Sequence, residues 1–154
     1  MKITHISQNE KDTEEIGERV GANLRGGEVV ELRSDVGGGK TVFTRGLAHG
    51  AGSKASVSSP TFTITKEYTV DGSDRLDRVV HADMYRLQDP GVMRYELADA
   101  VGPRSVLVVE WADIVEDVLP AERLIVEITA QPNGDRQLSL TASDDLAYLL
   151  GGLS

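Results

Sequence analysis

Apolar positions along this chain change period several times, and each change marks an element. Residues 2–7 alternate as a short strand, after which Thr13, Ile16, Val20 and Leu24 recur at helical spacing. Asn9 and Asp12 are suited to start that helix by accepting the unpaired amides of its first turn, and Gly26-Gly27 ends it. The apolar run Val29-Val30-Glu31-Leu32 predicts a strand, and Val42-Phe43-Thr44-Arg45-Gly46-Leu47-Ala48 predicts a helix. A small-residue loop over 50–60 leads to an alternating strand over 61–68, the turn Asp71-Gly72-Ser73, and a strand over 78–83 that runs into Met84-Tyr85-Arg86-Leu87. Pro90 precedes a helix over 91–100. Val106-Leu107-Val108-Val109, within 105–111, has the continuous apolar character of a strand buried on both faces. Strands over 122–130 and 136–142 flank Pro132-Asn133-Gly134-Asp135, a hairpin signal, and a short helix over 144–150 closes the chain.

Helices interleaved with buried strands imply an α/β fold of three layers. Its sheet is expected to be mixed and mostly parallel, with an antiparallel C-terminal hairpin. At 154 residues, with 40% hydrophobic and 27% charged residues, the chain has an ordinary globular balance, and one domain over 1–154 is expected. No repeat, low-complexity segment, membrane-length apolar run or charged-then-apolar leader is present, so a cytoplasmic protein is expected.

Charge and cysteine content narrow the chemistry. Zero cysteines exclude disulfides and thiolate metal sites, and His5, His49 and His81 are too scattered for zinc, so any metal is expected to be Mg²⁺ held by oxygen. A formal charge of −9 argues against autonomous nucleic-acid binding. Any RNA would be held by a partner.

The strand-to-helix junction is Ser34-Asp35-Val36-Gly37-Gly38-Gly39-Lys40-Thr41. Small residues there let backbone amides converge on a polyphosphate, Lys40 supplies charge to its outer oxygens, and the Thr41 hydroxyl is suited to Mg²⁺. Asp35, Val36, Gly37, Gly38, Gly39, Lys40, Thr41 and Val42 form the expected nucleotide-binding set of a P-loop NTPase-like fold. Ser34 stands where the GxxxxGK(S/T) pattern has its first glycine. The competing reading is a glycine-rich turn with a chance Lys-Thr.

Two carboxylates strengthen the nucleotide reading. Glu110 ends an apolar strand, where P-loop proteins place an acid for Mg²⁺ or its water shell. Asp83 ends another, and the carboxyl ends of parallel strands collect at the ligand crevice. There it would orient attacking water, accept its proton or act on Mg²⁺ through water; a capping role at the strand-to-turn junction is the alternative. His81 shares the face of Asp83 and reads as a hydrogen-bonded packing residue rather than a base. Thr61, in Ser58-Ser59-Pro60-Thr61, lies where loops sense a γ-phosphate, or else in a simple turn. Trp111 is core or a partner anchor. The two DxxG patterns, Asp35–Gly38 and Asp99–Gly102, are misplaced for a GTPase and no NKxD motif exists, so adenine is the expected base.

Taken in order, the P-loop with Lys40-Thr41, Phe43 and Arg45-Gly46-Leu47, Ser59-Pro60-Thr61-Phe62-Thr63 with Tyr68, His81-Ala82-Asp83-Met84-Tyr85-Arg86-Leu87, and Val109-Glu110-Trp111 closely resemble the TsaE family. The similarity runs from about Thr13 to Arg136. It implies a small ATPase that binds the complex of TsaB and TsaD, which transfers threonylcarbamoyl to the tRNA adenosine beside the anticodon. By the same resemblance, Lys40 and Thr41 hold phosphate and Mg²⁺, Glu110 completes the metal site, and Asp83 serves hydrolysis. Thr61 faces the γ-phosphate, and Thr13 and Arg136 lie near the nucleotide base. Ser34, Gly38 in a position commonly Ala, and Met84 in the HxDLYR segment depart from the family pattern. A positive φ at Ser34 would cost about a kcal/mol or more. The alternatives are a small-molecule kinase, with Asp83 activating a substrate hydroxyl, and a non-hydrolysing nucleotide-dependent adaptor.

Overall fold

The computed structural model describes residues 1–34, 39–55, 65–84 and 91–153. Within them lie seven strands: β1 Lys2–Ser7, β2 Val29–Ser34, β3 Thr65–Thr69, β4 Arg78–Asp83, β5 Ser105–Glu110, β6 Leu124–Ala130 and β7 Arg136–Thr141. The helices are α1 Glu10–Asn23, α2 Lys40–Gly50 and α3 Gly91–Ala100, with 3₁₀ helices at Ala112–Val118 and Asp144–Leu150. The strands form one sheet in the order β1-β7-β6-β2-β5-β4-β3. The β6-β2-β5-β4 centre is parallel, while β1-β7, β7-β6 and β4-β3 pair antiparallel, so five of the seven strands run in one direction. This is the mixed, mostly parallel sheet with a C-terminal hairpin that the pattern predicts.

Sequence expectations for β1, β4 and α3 match the observed bounds. The short closing helix is found at Asp144–Leu150 as a 3₁₀ helix, β3 extends to Thr69, and the 3₁₀ helix Ala112–Val118 was not anticipated because its seven residues are too short for a helical period to register. Residues 61–64 of the expected strand and the segment 85–90 lie outside the described residues.

Two apolar layers enclose the sheet. Val30, Leu32, Val79, Val106 and Val108 pack with α1 and α2 on one face, while Val29, Val80, Leu107 and Val109 pack with α3 and the 3₁₀ helix Ala112–Val118 on the other. The strand period of two therefore decides which side chains can meet the α2 layer.

Helix α1 starts as its sequence dictates: the Asn9 side chain accepts from the Asp12 amide at 2.9 Å, and the Asp12 carboxylate accepts from the Gln8 amide at 3.0 Å. Its buried positions, Thr13, Ile16, Gly17, Val20 and Gly21, follow the i, i+3, i+4, i+7, i+8 spacing of one helical face. They meet α2 with no space to spare. A Cβ on Gly17 would lie 2.3 Å from the Phe43 carbonyl oxygen, and one on Gly46 would lie 2.0 Å from that of Glu14. Gly21 and Gly50 repeat this reciprocal contact one turn on. Backbone-to-backbone packing thus locks the helix that carries Lys40 and Thr41 against its neighbour.

Candidate functional site

Strand β2 delivers the chain into the glycine-rich loop at the carboxyl edge of the parallel sheet. Ser34 is the last residue of β2 and pairs with Ile128, and it does not take a positive φ, so serine fits this position without backbone strain. Gly39 closes the loop with φ 105° and caps α2. A side chain at that angle would be strained, and the unpaired amides of the first turn of α2 lie beside it. Residues 35–38 are outside the described set, so the expected roles of Asp35, Val36, Gly37 and Gly38 have no structural account here; Thr61 likewise falls outside it.

Lys40 turns back toward the ends of β2 and β5. Its ammonium lies 3.3 Å from Glu110 Oε1, 3.4 Å from the Ser34 carbonyl oxygen and 5.0 Å from the centre of the Trp111 ring. Glu110 is 3% exposed, and its other oxygen, Oε2, accepts from His81 Nε2. Burial is the largest influence on the Glu110 carboxyl and opposes ionisation, but the hydrogen bond and field of His81, with the Lys40 charge, outweigh it and hold the pKa below the ordinary 4.5. The carboxylate is therefore ionised at neutral pH.

Asp83 sits at the end of β4 directly opposite Glu110 in the β4–β5 register, and the Met84 amide continues the pairing by donating to the Glu110 carbonyl oxygen at 3.0 Å. By strand parity Asp83, Glu110 and Ser34 all face the α2 layer. Thr41 and Val42 occupy the first turn of α2, both partly buried. The structure thus gathers Lys40, Thr41, Glu110 and Asp83 at one sheet edge, although they come from three separate stretches of chain.

Thr13 lies on the same side: its Cγ2 is 4.0 Å from where a Cβ on Gly39 would be, and its hydroxyl hydrogen-bonds to Ser7 Oγ at 2.6 Å. Arg136 begins β7 in register with Ser7, which links it to Thr13 through β1, but its own guanidinium donates to the Gly134 carbonyl oxygen at 3.3 Å.

Trp111 follows Glu110 with φ 57° and ψ 52°, the one left-handed non-glycine residue among those described. A bulky residue held there is strained, and the strain turns the chain out of β5 so that the ring lies under Lys40 while remaining 39% exposed. The 3₁₀ helix that follows is tied to β2 by buried charge. Arg123 donates twice to Glu31 Oε1, at 3.1 and 3.0 Å, and once to Glu116 at 2.7 Å, and Arg33 donates to the remaining Glu31 oxygen. Sequence reasoning missed this network. Its signal was Glu31, a charge inside an apolar strand pattern.

Among the described residues no three His, Cys, Asp or Glu side chains form a metal cage. A single carboxylate at the end of β5, with Thr41 in the first turn of α2, suits an ion that draws its other ligands from phosphate and water, as Mg²⁺ does. The donor set therefore fits that metal.

The family model described as threonylcarbamoyl adenosine biosynthesis protein TsaE matches residues 7–138. The tRNA threonylcarbamoyladenosine biosynthesis protein TsaE of Bacillus subtilis is 37% identical over 134 residues, covering 87% of this chain and 82% of that protein. The protein of the same name from Streptomyces coelicolor is 36% identical over 140 residues, covering 90% and 89%. A crystal structure of Bacillus subtilis YdiB superposes with a TM-score of 0.79 at 32% identity, covering 99% of this chain and 94% of that one.

Proposed function

This chain belongs to the TsaE family, and on that premise we propose that it is a Mg²⁺-dependent ATPase acting with TsaB and TsaD in threonylcarbamoylation of the tRNA adenosine next to the anticodon. The observation that carries the reading is the meeting of Lys40 and Glu110 at 3.3 Å where α2 begins, with Asp83 in register beside them. Its work would be cytoplasmic, and among the described residues no helix is long and apolar enough to cross a membrane.

The loop residues Asp35 to Gly39 and the first amides of α2, through Val42, wrap the phosphates. Lys40 leaves Glu110 for the β/γ oxygens, exchanging one anion for another, and Thr41 and Glu110 hold the metal. Mg²⁺, when bound, draws charge from the phosphate oxygens. Asp83 aligns the attacking water and takes its proton, while Lys40 offsets charge developing on the transferred phosphoryl group. Thr61 faces the γ-phosphate, and Thr13 and Arg136 flank the base.

Turnover by the protein alone is slow in this reading and rises when the partners assemble on it. The test is ATP hydrolysis measured with and without purified TsaB and TsaD. Stimulation that Asp83→Asn removes, with nucleotide affinity retained, is the expected result, the loss being roughly 10²- to 10⁴-fold for a missing general base. No stimulation, or a partner cycle that survives Asp83→Asn, overturns the hydrolytic role.

A further inference from the structure

His81 has no part in the mechanism so far, yet it holds one of the two oxygens on which that mechanism depends. It lies opposite Val108 in the β4–β5 register, and Asp83 lies opposite Glu110, so His81 and Glu110 are diagonal neighbours on the face toward α2. Long side chains reach one another across that diagonal. The imidazole is 0% exposed; Nε2 donates to Glu110 Oε2, and Nδ1 has no hydrogen-bond partner among the described residues.

The unmatched Nδ1 argues that the ring serves more than packing. An apolar residue of similar size would fill the same space without burying an unsatisfied nitrogen, which lowers stability. What the imidazole adds is a donor aimed at Oε2. The two carboxylate oxygens of Glu110 therefore have different kinds of partner: Oε1 faces a lysine side chain that nucleotide would draw away, and Oε2 faces a ring fixed in the interior.

We propose that His81 is a positioning residue for the metal site: its Nε2 pins Oε2 so that, when Lys40 leaves, Oε1 stays directed at the divalent ion instead of rotating with the carboxylate. This rests on the reading of Glu110 as the residue that holds Mg²⁺. A buried donor behind a ligating carboxylate raises metal affinity by fixing ligand orientation, and losing such a partner typically costs 10- to 100-fold.

Two amide variants isolate the donor position. His81→Gln puts a side-chain NH₂ near the site of Nε2, whereas His81→Asn carries the same group on a shorter stem that stops short of Glu110. The probe is Mn²⁺ titrated into the full chain with a non-hydrolysable ATP analogue, free Mn²⁺ being read by electron paramagnetic resonance. Binding of the same analogue in EDTA serves as the metal-free control. H81N is expected to weaken Mn²⁺ binding about 10- to 100-fold with metal-free nucleotide affinity unchanged, and H81Q to recover most of the loss.

Glu110→Gln separates metal binding by Glu110 from its positioning by His81. If E110Q leaves Mn²⁺ affinity unchanged, the metal reading of Glu110 fails and this inference falls with it. If E110Q weakens Mn²⁺ binding while H81N and H81Q both match the parent, the metal reading stands and the role of His81 is overturned. Should H81N not fold, the unmodified protein carries the test. In ¹⁵N-histidine spectra the His81 Nε2 resonance is expected to shift when Mg²⁺ joins the bound analogue, and an unshifted resonance overturns the proposal.

Discussion

Glu110 combines burial, ionisation and two cationic or proton-donating neighbours in one carboxylate, and its behaviour with pH follows from that. Its folded pKa lies below 4.5, so the stability it contributes is present above the unfolded value and is lost as pH falls through the folded one. The stability gap between the parent and E110Q, measured by chemical denaturation, is therefore expected to narrow as pH drops below about 4.5; a gap constant down to acid pH would show that the carboxylate is not stabilised by Lys40 and His81. Trp111 offers an optical reading of the same cluster. It is the only tryptophan, and its ring lies 5.0 Å from the Lys40 ammonium. Nucleotide that draws Lys40 away changes the ring's surroundings, so its emission is expected to respond to ATP analogues in the parent and not in Lys40→Ala. Asp83 and Glu110 were legible in the sequence because a carboxylate ending an apolar run is visible on one line of text. The contact of His81 with Glu110 was not, since it joins diagonal positions on strands 29 residues apart.

At the scale of elements, two devices place the site. The first is the glycine contact between α1 and α2. Gly46→Ala would set a methyl 2.0 Å from the Glu14 carbonyl oxygen, and the obstacle is backbone, which cannot swing aside. The expected cost is about 1–3 kcal/mol or more, seen as a fall of several degrees in Tm, with nucleotide affinity reduced as α2 shifts. An unchanged Tm would mean that the helices have room to separate. The second device is the ion cluster that ties the 3₁₀ helix Ala112–Val118 to β2. Glu31→Gln leaves Arg123 buried with only Glu116 to balance it, at an expected cost of roughly 3 kcal/mol, and replacing Glu31 and Arg123 together by Leu and Met is expected to recover much of that. Denaturant melts of each single variant and of the double variant decide it; a double-variant loss equal to the sum of the single losses would show that the pair is not coupled. The helical stripes of both helices were readable from spacing. Why glycine recurs at 17, 21, 46 and 50 was not, because the reason is the other helix.

For the whole molecule, the sheet sorts charge as well as side chains. The Lys40 ammonium at the site is paired with Glu110, and the chain carries a net −9, so the electrostatics favour a protein partner over a bare polyanion. Unmodified tRNA is accordingly expected neither to bind this protein alone at physiological salt nor to raise its ATP turnover until TsaB and TsaD are present. Filter binding and turnover assays with tRNA, with and without the two proteins, check this. Tight binding of tRNA by the isolated chain would relocate the RNA contact to this protein.

The sequence by itself determined the order and type of nearly every described element, the strand-to-helix junction that joins Ser34 to Lys40, and the acids Asp83 and Glu110 at their strand ends. Each of these is written in local chemistry: a period, a turn residue, a charge at the end of an apolar run. Only the tertiary structure decided that Lys40 and Glu110 pair, that Thr13 lies against Gly39, that His81 holds a carboxylate oxygen, and that Ser34 sits in ordinary strand geometry. Those facts depend on strand register and helix approach. Register is set by the burial of whole faces, and a single line of residues does not state which faces will meet.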